Sequence, residues 1–344
     1  MDLLGISGVC YMHTMLKPPD PCHKVCWFVS WIYLSTYIQH LLLFQSMFSL
    51  VNASLMGNIP SQDYVMEIYG KMMVNAFNIV NGVIENIGYG LYVGSSVFDS
   101  SCARNAHQHF CGKDMIIRCI AENVNNFTDL RICYLQDLTA TTKIRRQKLL
   151  EKYYFICECS NCQDNIKDQM KSSLLCPNCN KGCSPLVTRK CIDCHHVVDS
   201  SAIEKYKTLK CQLIKASESC QLDLFEELFK NAITVFHPFD VKFMEFLNIY
   251  AANEDQSKNP SRFLEISKMK LHHLYQHIPE FELRIGSEEI QAAKLCCLLD
   301  LLDKAEEHLD RGKNILQVIF GEDHPILNKK WKPIRLQIDQ KKQH

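Results

Sequence analysis

Cys157, Cys159 and Cys162, set just behind the aromatic run Tyr153-Tyr154-Phe155, constrain this chain more than any other stretch. A Cys-x-Cys-x2-Cys spacing offers three thiolates to one tetrahedral Zn2+, and a metal bound there pins the preceding aromatic residues into a wall. The competing reading is inert core thiols, since the chain holds nineteen cysteines.

A second group follows in Cys176-Pro177-Asn178-Cys179 and, eleven residues on, Cys191-Ile192-Asp193-Cys194. Paired Cys-x2-Cys knuckles predict a zinc-ribbon-like site, because each knuckle sets two thiolates on a tight turn and the intervening hairpin folds the pairs together. Cys183, His195 and His196 stand close enough to replace one of the four ligands. Four protein ligands leave no open position for a reactive water, so the expected role is structural.

Length allows two or three domains with real cores, and the formal net charge of +0, without a long basic run, argues against direct nucleic-acid binding. Clustered cysteines in a chain this long point to a reducing compartment, cytosol or nucleus. Sequons at Asn52 and Asn126 would matter only in the secretory pathway. From Cys26 to Phe44 the chain is almost wholly apolar and about long enough to span a bilayer. Ser30, Ser35, Thr36, Gln39 and His40 dilute it and no basic stretch precedes it, so a buried helix or an atypical N-terminal exon is preferred to an anchor.

Leu41 to Leu55 and Tyr64 to Met73 carry helical periodicity on either side of Pro60-Ser61. From Ala76 to Leu135 the pattern changes to short runs jointed by glycine, including Gly88-Tyr89-Gly90-Leu91-Tyr92 and Met115 to Ile120, which predict small strands and turns. Thr141 to Tyr153 reads as a helix with Lys143, Arg145, Arg146 and Lys148 on solvated faces. Beyond Ala202, helices are predicted at 202–219, 222–236, 240–252, 261–277, 287–300 and 303–319, broken at His237-Pro238, Pro260, Pro279, Gly286 and His324-Pro325. The small-residue and leucine spacing from Ala292 to Leu309 fits a tetratricopeptide-like hairpin, with an unrelated helical bundle as the alternative. The tail Lys341 to His344 is expected to fray.

The order of Ser101-Cys102-Ala103-Arg104-Asn105, two strands, Ile132-Cys133-Tyr134-Leu135, a basic helix and then Phe155-Ile156-Cys157-Glu158-Cys159-Ser160-Asn161-Cys162 resembles the SMYD family of SET- and MYND-domain protein lysine methyltransferases. The similarity is good from about Asn75 to Cys162 and weaker to the C-terminus. It implies an α+β fold: a SET-type β core with a helical insert and a zinc-bound post-SET segment, followed by an all-α tetratricopeptide-like C-terminal domain. The boundaries it suggests are an atypical N-terminal segment (1–40), the helical insert (41–78), the SET core (79–140), the post-SET and zinc-knuckle region (141–200) and the helical domain (201–335).

The resemblance further implies that Cys102 is the fourth ligand beside Cys157, Cys159 and Cys162, and that S-adenosylmethionine is the cofactor. By the same likeness Tyr134 supplies the catalytic hydroxyl, Asn75, Asp99, Ser100 and Phe155 border the cofactor, and Phe77 lines the lysine channel. A monomer acting on a lysine of a histone or other protein, in cytoplasm and nucleus, is the implied setting, with a protein partner for the helical domain and no membrane.

Two departures bear on activity. Asp99-Ser100 stands where the family has Asn-His, and aspartate only accepts hydrogen bonds and adds a charge. Phe127-Thr128-Asp129-Leu130 replaces Gly-Glu-Glu-Leu before the tyrosine strand. A Gly-x-Gly opening and a MYND finger are also missing upstream, so the expectation is a truncated or divergent member, catalytically weakened as given. The alternative, from another class, is a scaffold that acts through its helical domain.

Overall fold

Ser61 opens the first long helix, accepting from Tyr64 N at 3.4 Å through its hydroxyl, and α1 (Gln62–Asn75) runs until Ala76 turns extended. The protein is described here from a computed structural model covering residues 5–6, 45–46, 48–49, 52, 60–80, 86–122, 124–219 and 224–343. The apolar stretch 26–44 and most of the 1–40 segment lie outside the described residues. Two units are distinguished: Met1–Asp99, Gln108–Ile117 and Arg146–Cys157 make the first, and Ser100–His107, Arg118–Arg145 and Glu158–His344 the second.

In the first unit α1 passes straight into β2 (Ala76–Val80), which pairs antiparallel with β3 (Asn86–Leu91) in the register Phe77↔Gly90 and Asn78↔Tyr89. A three-stranded sheet contains β5 (Ala106–Cys111) and β6 (Asp114–Cys119), with β1 (Gly5–Ile6) added antiparallel to β6 at Gly5↔Ile116. The β5–β6 turn needs Gly112, whose φ of 61° falls in the region that side chains disfavour. Tyr92 meets Phe77 edge-on at 6.3 Å and lies tilted against Phe110 at 5.6 Å between ring centres, and its hydroxyl donates to Lys113 O at 2.9 Å.

The short pair β4 (Asp99–Ser100) and β7 (Arg131–Ile132) is continued by Ser101 N donating to Ile132 O at 2.8 Å. Asn105 fastens the same place: its Oδ1 accepts from Arg131 N at 2.6 Å, its Nδ2 donates to Asp129 O at 2.9 Å, and its carbonyl accepts from Ile120 N. Then come α2 (Thr142–Tyr153), α3 (Ser160–Gln163), α4 (Asn165–Met170) and the hairpin of β8 (Ser173–Leu175) with β9 (Cys183–Pro185).

A helical array fills the rest of the second unit: α5 (Ser200–Ser219), α6 (Phe225–Ala232), α7 (Val241–Asn253), α8 (Pro260–His277), α9 (Leu283–Leu298), α10 (Leu302–Phe320) and α11 (Lys332–Lys342). Phe225, Phe229, Phe236, Phe243 and Phe246 are fully buried in it. Asp240 is the polar pivot. It caps α7 by accepting from Lys242 N and Phe243 N, takes the Tyr206 hydroxyl at 2.5 Å and reaches Ser173 N on β8 at 3.2 Å.

Four expectations are corrected. The helix expected at 222–236 is described as Phe225–Ala232 and ends early because the chain turns toward His237-Pro238, while 222–223 lie outside the described residues. Gly286 does not break a helix but lies inside α9, where Leu316 of α10 packs against it; a Cβ at Gly312 would meet the Gly286 carbonyl at 3.0 Å. Two glycines thus let α9 and α10 approach closely. The tail does not fray at Lys341 and Lys342, which end α11 and pair with Asp300 and Glu306 at 2.5 and 2.6 Å. Finally, Lys143 and Lys148 are solvated, but Arg145 is fully buried and Arg146 half-buried. The cause is register: Thr142, Arg145 and Leu149 share the inward face of α2. Among the described residues no helix is long and apolar enough to cross a membrane.

Candidate metal centres

Tyr154, at φ 60°, stops α2, and the chain runs extended through Cys157 before folding into a tight turn in which Cys162 N donates to Cys159 O at 2.9 Å. That turn sets the Cys-x2-Cys pair on one side of the backbone. Cys102 arrives from the bend that follows β4. The Sγ atoms of Cys102, Cys157, Cys159 and Cys162 all lie within 4.8 Å of one another, with three of the four residues buried. Arg146 Nε donates to Cys157 O at 2.9 Å, and Arg145 Nη2 donates to Cys162 Sγ at 3.3 Å.

The second centre is built by the β8–β9 hairpin, which holds the two knuckles face to face. Cys176, Cys179, Cys191 and Cys194 also keep their sulfurs within 4.8 Å, with Cys176 to Cys194 at 3.5 Å and Cys179 to Cys191 at 3.8 Å. A tetrahedral Zn2+ with Zn–S bonds of about 2.3 Å needs sulfur separations near ~3.8 Å, so both donor sets fit the metal in chemistry and spacing. Every thiol in them is free of disulfide bonding.

Burial pushes the Cys176 thiol up to about 11, whereas the His196 backbone N–H and the Asn178 amide bring Cys194 down to about 6. Cys183, the alternative ligand, lies in β9 outside the cluster, and burial holds its thiol protonated at about 11. His195 and His196 are likewise outside the cluster. The four cysteines expected at each centre are the four whose sulfurs come together.

The other site candidates fall in both units. In the second, Ser100 and Tyr134 are brought together: Tyr134 N donates to Ser100 Oγ at 3.2 Å. In the first, Asn75 ends α1 with its Nδ2 donating to Lys71 O at 2.8 Å, and Phe77 faces Tyr92 two residues later. Asp99 is exposed, while Ser100, Tyr134 and Phe155 are half-buried. Sequence reading passed over Asn105, the fastener of β4 and β7, and Arg104, which forms a half-buried ion pair with Glu282 at the N-terminus of α9. Asn105 was in the quoted motif; Arg104 carried no local signal, because its partner lies 178 residues away.

No family model matches the chain. Over 112 residues, a third of this chain and 26% of the relative, it is 36% identical to histone-lysine N-methyltransferase SMYD3 of Mus musculus. This match supports membership of the SMYD family. Other SMYD-type relatives extend the match: histone-lysine N-methyltransferase ASHR1 of Arabidopsis thaliana is 25% identical over 84% of this chain and 64% of its own length. The human N-lysine methyltransferase SMYD2 is 20% identical over 78% of this chain and 60% of its own. The chain therefore spans about a quarter of SMYD3 and under two thirds of these other relatives.

Proposed function

We propose that this chain is a protein-lysine N-methyltransferase with a SET-type core, a zinc-bound post-SET segment and a tetratricopeptide-like helical domain. The observation that carries the reading is the junction of Ser100 with Tyr134, two residues before Cys102, on the strand pair that leads to the first thiol cluster. S-adenosylmethionine would supply an electrophilic methyl group on a sulfonium. The donor set suits it in part: Asp99 offers a carboxylate to an ammonium, Asn75 an amide, and Phe155 an aromatic face for adenine.

A neutral lysine ε-amine would be the acceptor of that methyl group, and the proton it sheds on methylation would pass to water. Tyr134 is assigned the oriented hydroxyl beside the transferring methyl, where an oxygen offsets the partial positive charge that carbon carries. Phe77 is assigned the wall that packs the lysine's alkyl stem and keeps water away from the amine. Zinc held by Cys102, Cys157, Cys159 and Cys162 and by Cys176, Cys179, Cys191 and Cys194 would act structurally, fixing Phe155 and the knuckle hairpin. The acceptor is a lysine of a histone or another protein.

Calorimetric titration with S-adenosylmethionine is the direct test: one binding event per chain supports the reading, and no binding by folded, zinc-loaded protein removes it. A second reading, a scaffold acting through the helical domain, is favoured by the Asp99-Ser100 departure from the family's Asn-His.

A further inference from the structure

Arg145 is fully buried, and its guanidinium donates only to neutral groups and sulfur: Ala140 O at 2.6 Å, Thr142 Oγ1 at 3.1 Å, Asn161 O at 3.3 Å and Cys162 Sγ at 3.3 Å. No carboxylate among the described residues pairs with it. Buried Lys171, brought down to about 7 by burial and by the Arg145 charge, donates to the same Ala140 carbonyl at 2.7 Å and reaches Asp168 only at 3.9 Å. Arginine does not deprotonate in proteins, so a cation sits here in a low-dielectric interior without an opposing charge.

Four neutral thiols cannot compensate it, whereas four thiolates around Zn2+ carry a net charge of minus two. We propose that Arg145 is the charge partner of the first metal centre, offsetting one of those charges and so tightening zinc at Cys102, Cys157, Cys159 and Cys162. Among the described residues no lysine or arginine side chain donates to a sulfur of the second centre. Its sulfurs receive neutral donors, Gly182 N at 3.3 Å and Asn178 Nδ2 at 3.6 Å, and Cys194 is only half-buried, so that centre is more open to solvent.

The inference rests on the zinc reading of the first cluster and not on methyl transfer. Wild type, Arg145→Gln and Arg145→Lys full-length chains are titrated with a chromogenic chelator, and zinc retained per chain is read together with mass-mapped alkylation of each cysteine. Gln keeps hydrogen-bond donors without charge; Lys keeps the charge with a different donor geometry. The expected result is a loss of about ten-fold or more in zinc affinity at the first centre for Arg145→Gln. Cys102, Cys157, Cys159 and Cys162 then become alkylated first, the second centre is unchanged, and Arg145→Lys stays nearer to wild type. Equal retention by Gln and wild type, equal loss in Gln and Lys, or equal loss at both centres would each overturn the proposal. A wild-type chain that holds zinc only at the second centre would remove the zinc reading itself.

Discussion

Ser100 Oγ accepts the backbone N–H of Tyr134 at 3.2 Å, so the residue standing in place of the family's histidine fixes the residue proposed for catalysis. Ser100→Ala leaves that N–H without its acceptor and is expected to cost ~1 kcal/mol. Denaturant midpoints of the two proteins check this. An unchanged midpoint would mean that the β4–β7 pairing alone positions Tyr134. Under the methyltransferase reading, Asp99→Asn with Ser100→His is expected to tighten S-adenosylmethionine binding. Weaker binding by the double variant would assign the present pair a positive role.

Metal analysis of the purified chain is expected to give about two zinc ions. Cys159→Ser should remove one of them and expose Phe155 and Cys157 to solvent, because the thiolate bond energy at that centre is folding energy. A folded chain that stays metal-free after incubation with zinc would contradict both centres.

Asp240→Ala is expected to destabilise the second unit by ~2–4 kcal/mol. It removes the cap of α7 and strands the Tyr206 hydroxyl and Ser173 N–H in the interior. Thermal unfolding measures the loss, and a change below ~1 kcal/mol would show that water replaces the carboxylate.

Acid sensitivity follows from histidines buried near Phe239. Burial brings His237 down to about 4 and His273 down to about 3, and His277 is lowered for the same first reason. Their folded values lie below the unfolded value near ~6.5, so the unfolded chain binds more protons between those limits. Stability from this source is complete above about pH 6.5 and falls as pH drops toward 4, by ~1–2 kcal/mol per histidine at pH 5. Single His273→Phe and His237→Phe variants should each flatten this fall; a profile as steep as wild type would assign it to other groups.

The two cysteine clusters were legible because thiolate spacing is a short-range code: knuckle turns are local, and only Cys102 had to come from the family likeness. Helix positions after residue 200 were legible from periodicity, to within a few residues at most ends. Gly286 was misread because a glycine that ends a helix and one that admits a neighbouring helix look alike until Leu316 and Gly312 are placed beside it. Arg145 was misread for the opposite reason. Its charge suggested solvent, although its spacing from Leu149 already put it on the buried face. The Arg104 to Glu282 ion pair joins residues too far apart in sequence for any local pattern to carry.

Transfer of labelled methyl from S-adenosylmethionine to a histone or peptide lysine, by zinc-loaded full-length chain and by Tyr134→Phe, tests the central claim most directly. Weak but Tyr134-dependent transfer is the expected result, with the turnover rate of Tyr134→Phe lower by about 10²-fold and cofactor affinity little changed, because an oriented oxygen matters most as the methyl moves. Folded, zinc-loaded protein that transfers no methyl, or transfers it equally well without the Tyr134 hydroxyl, would contradict the proposed function.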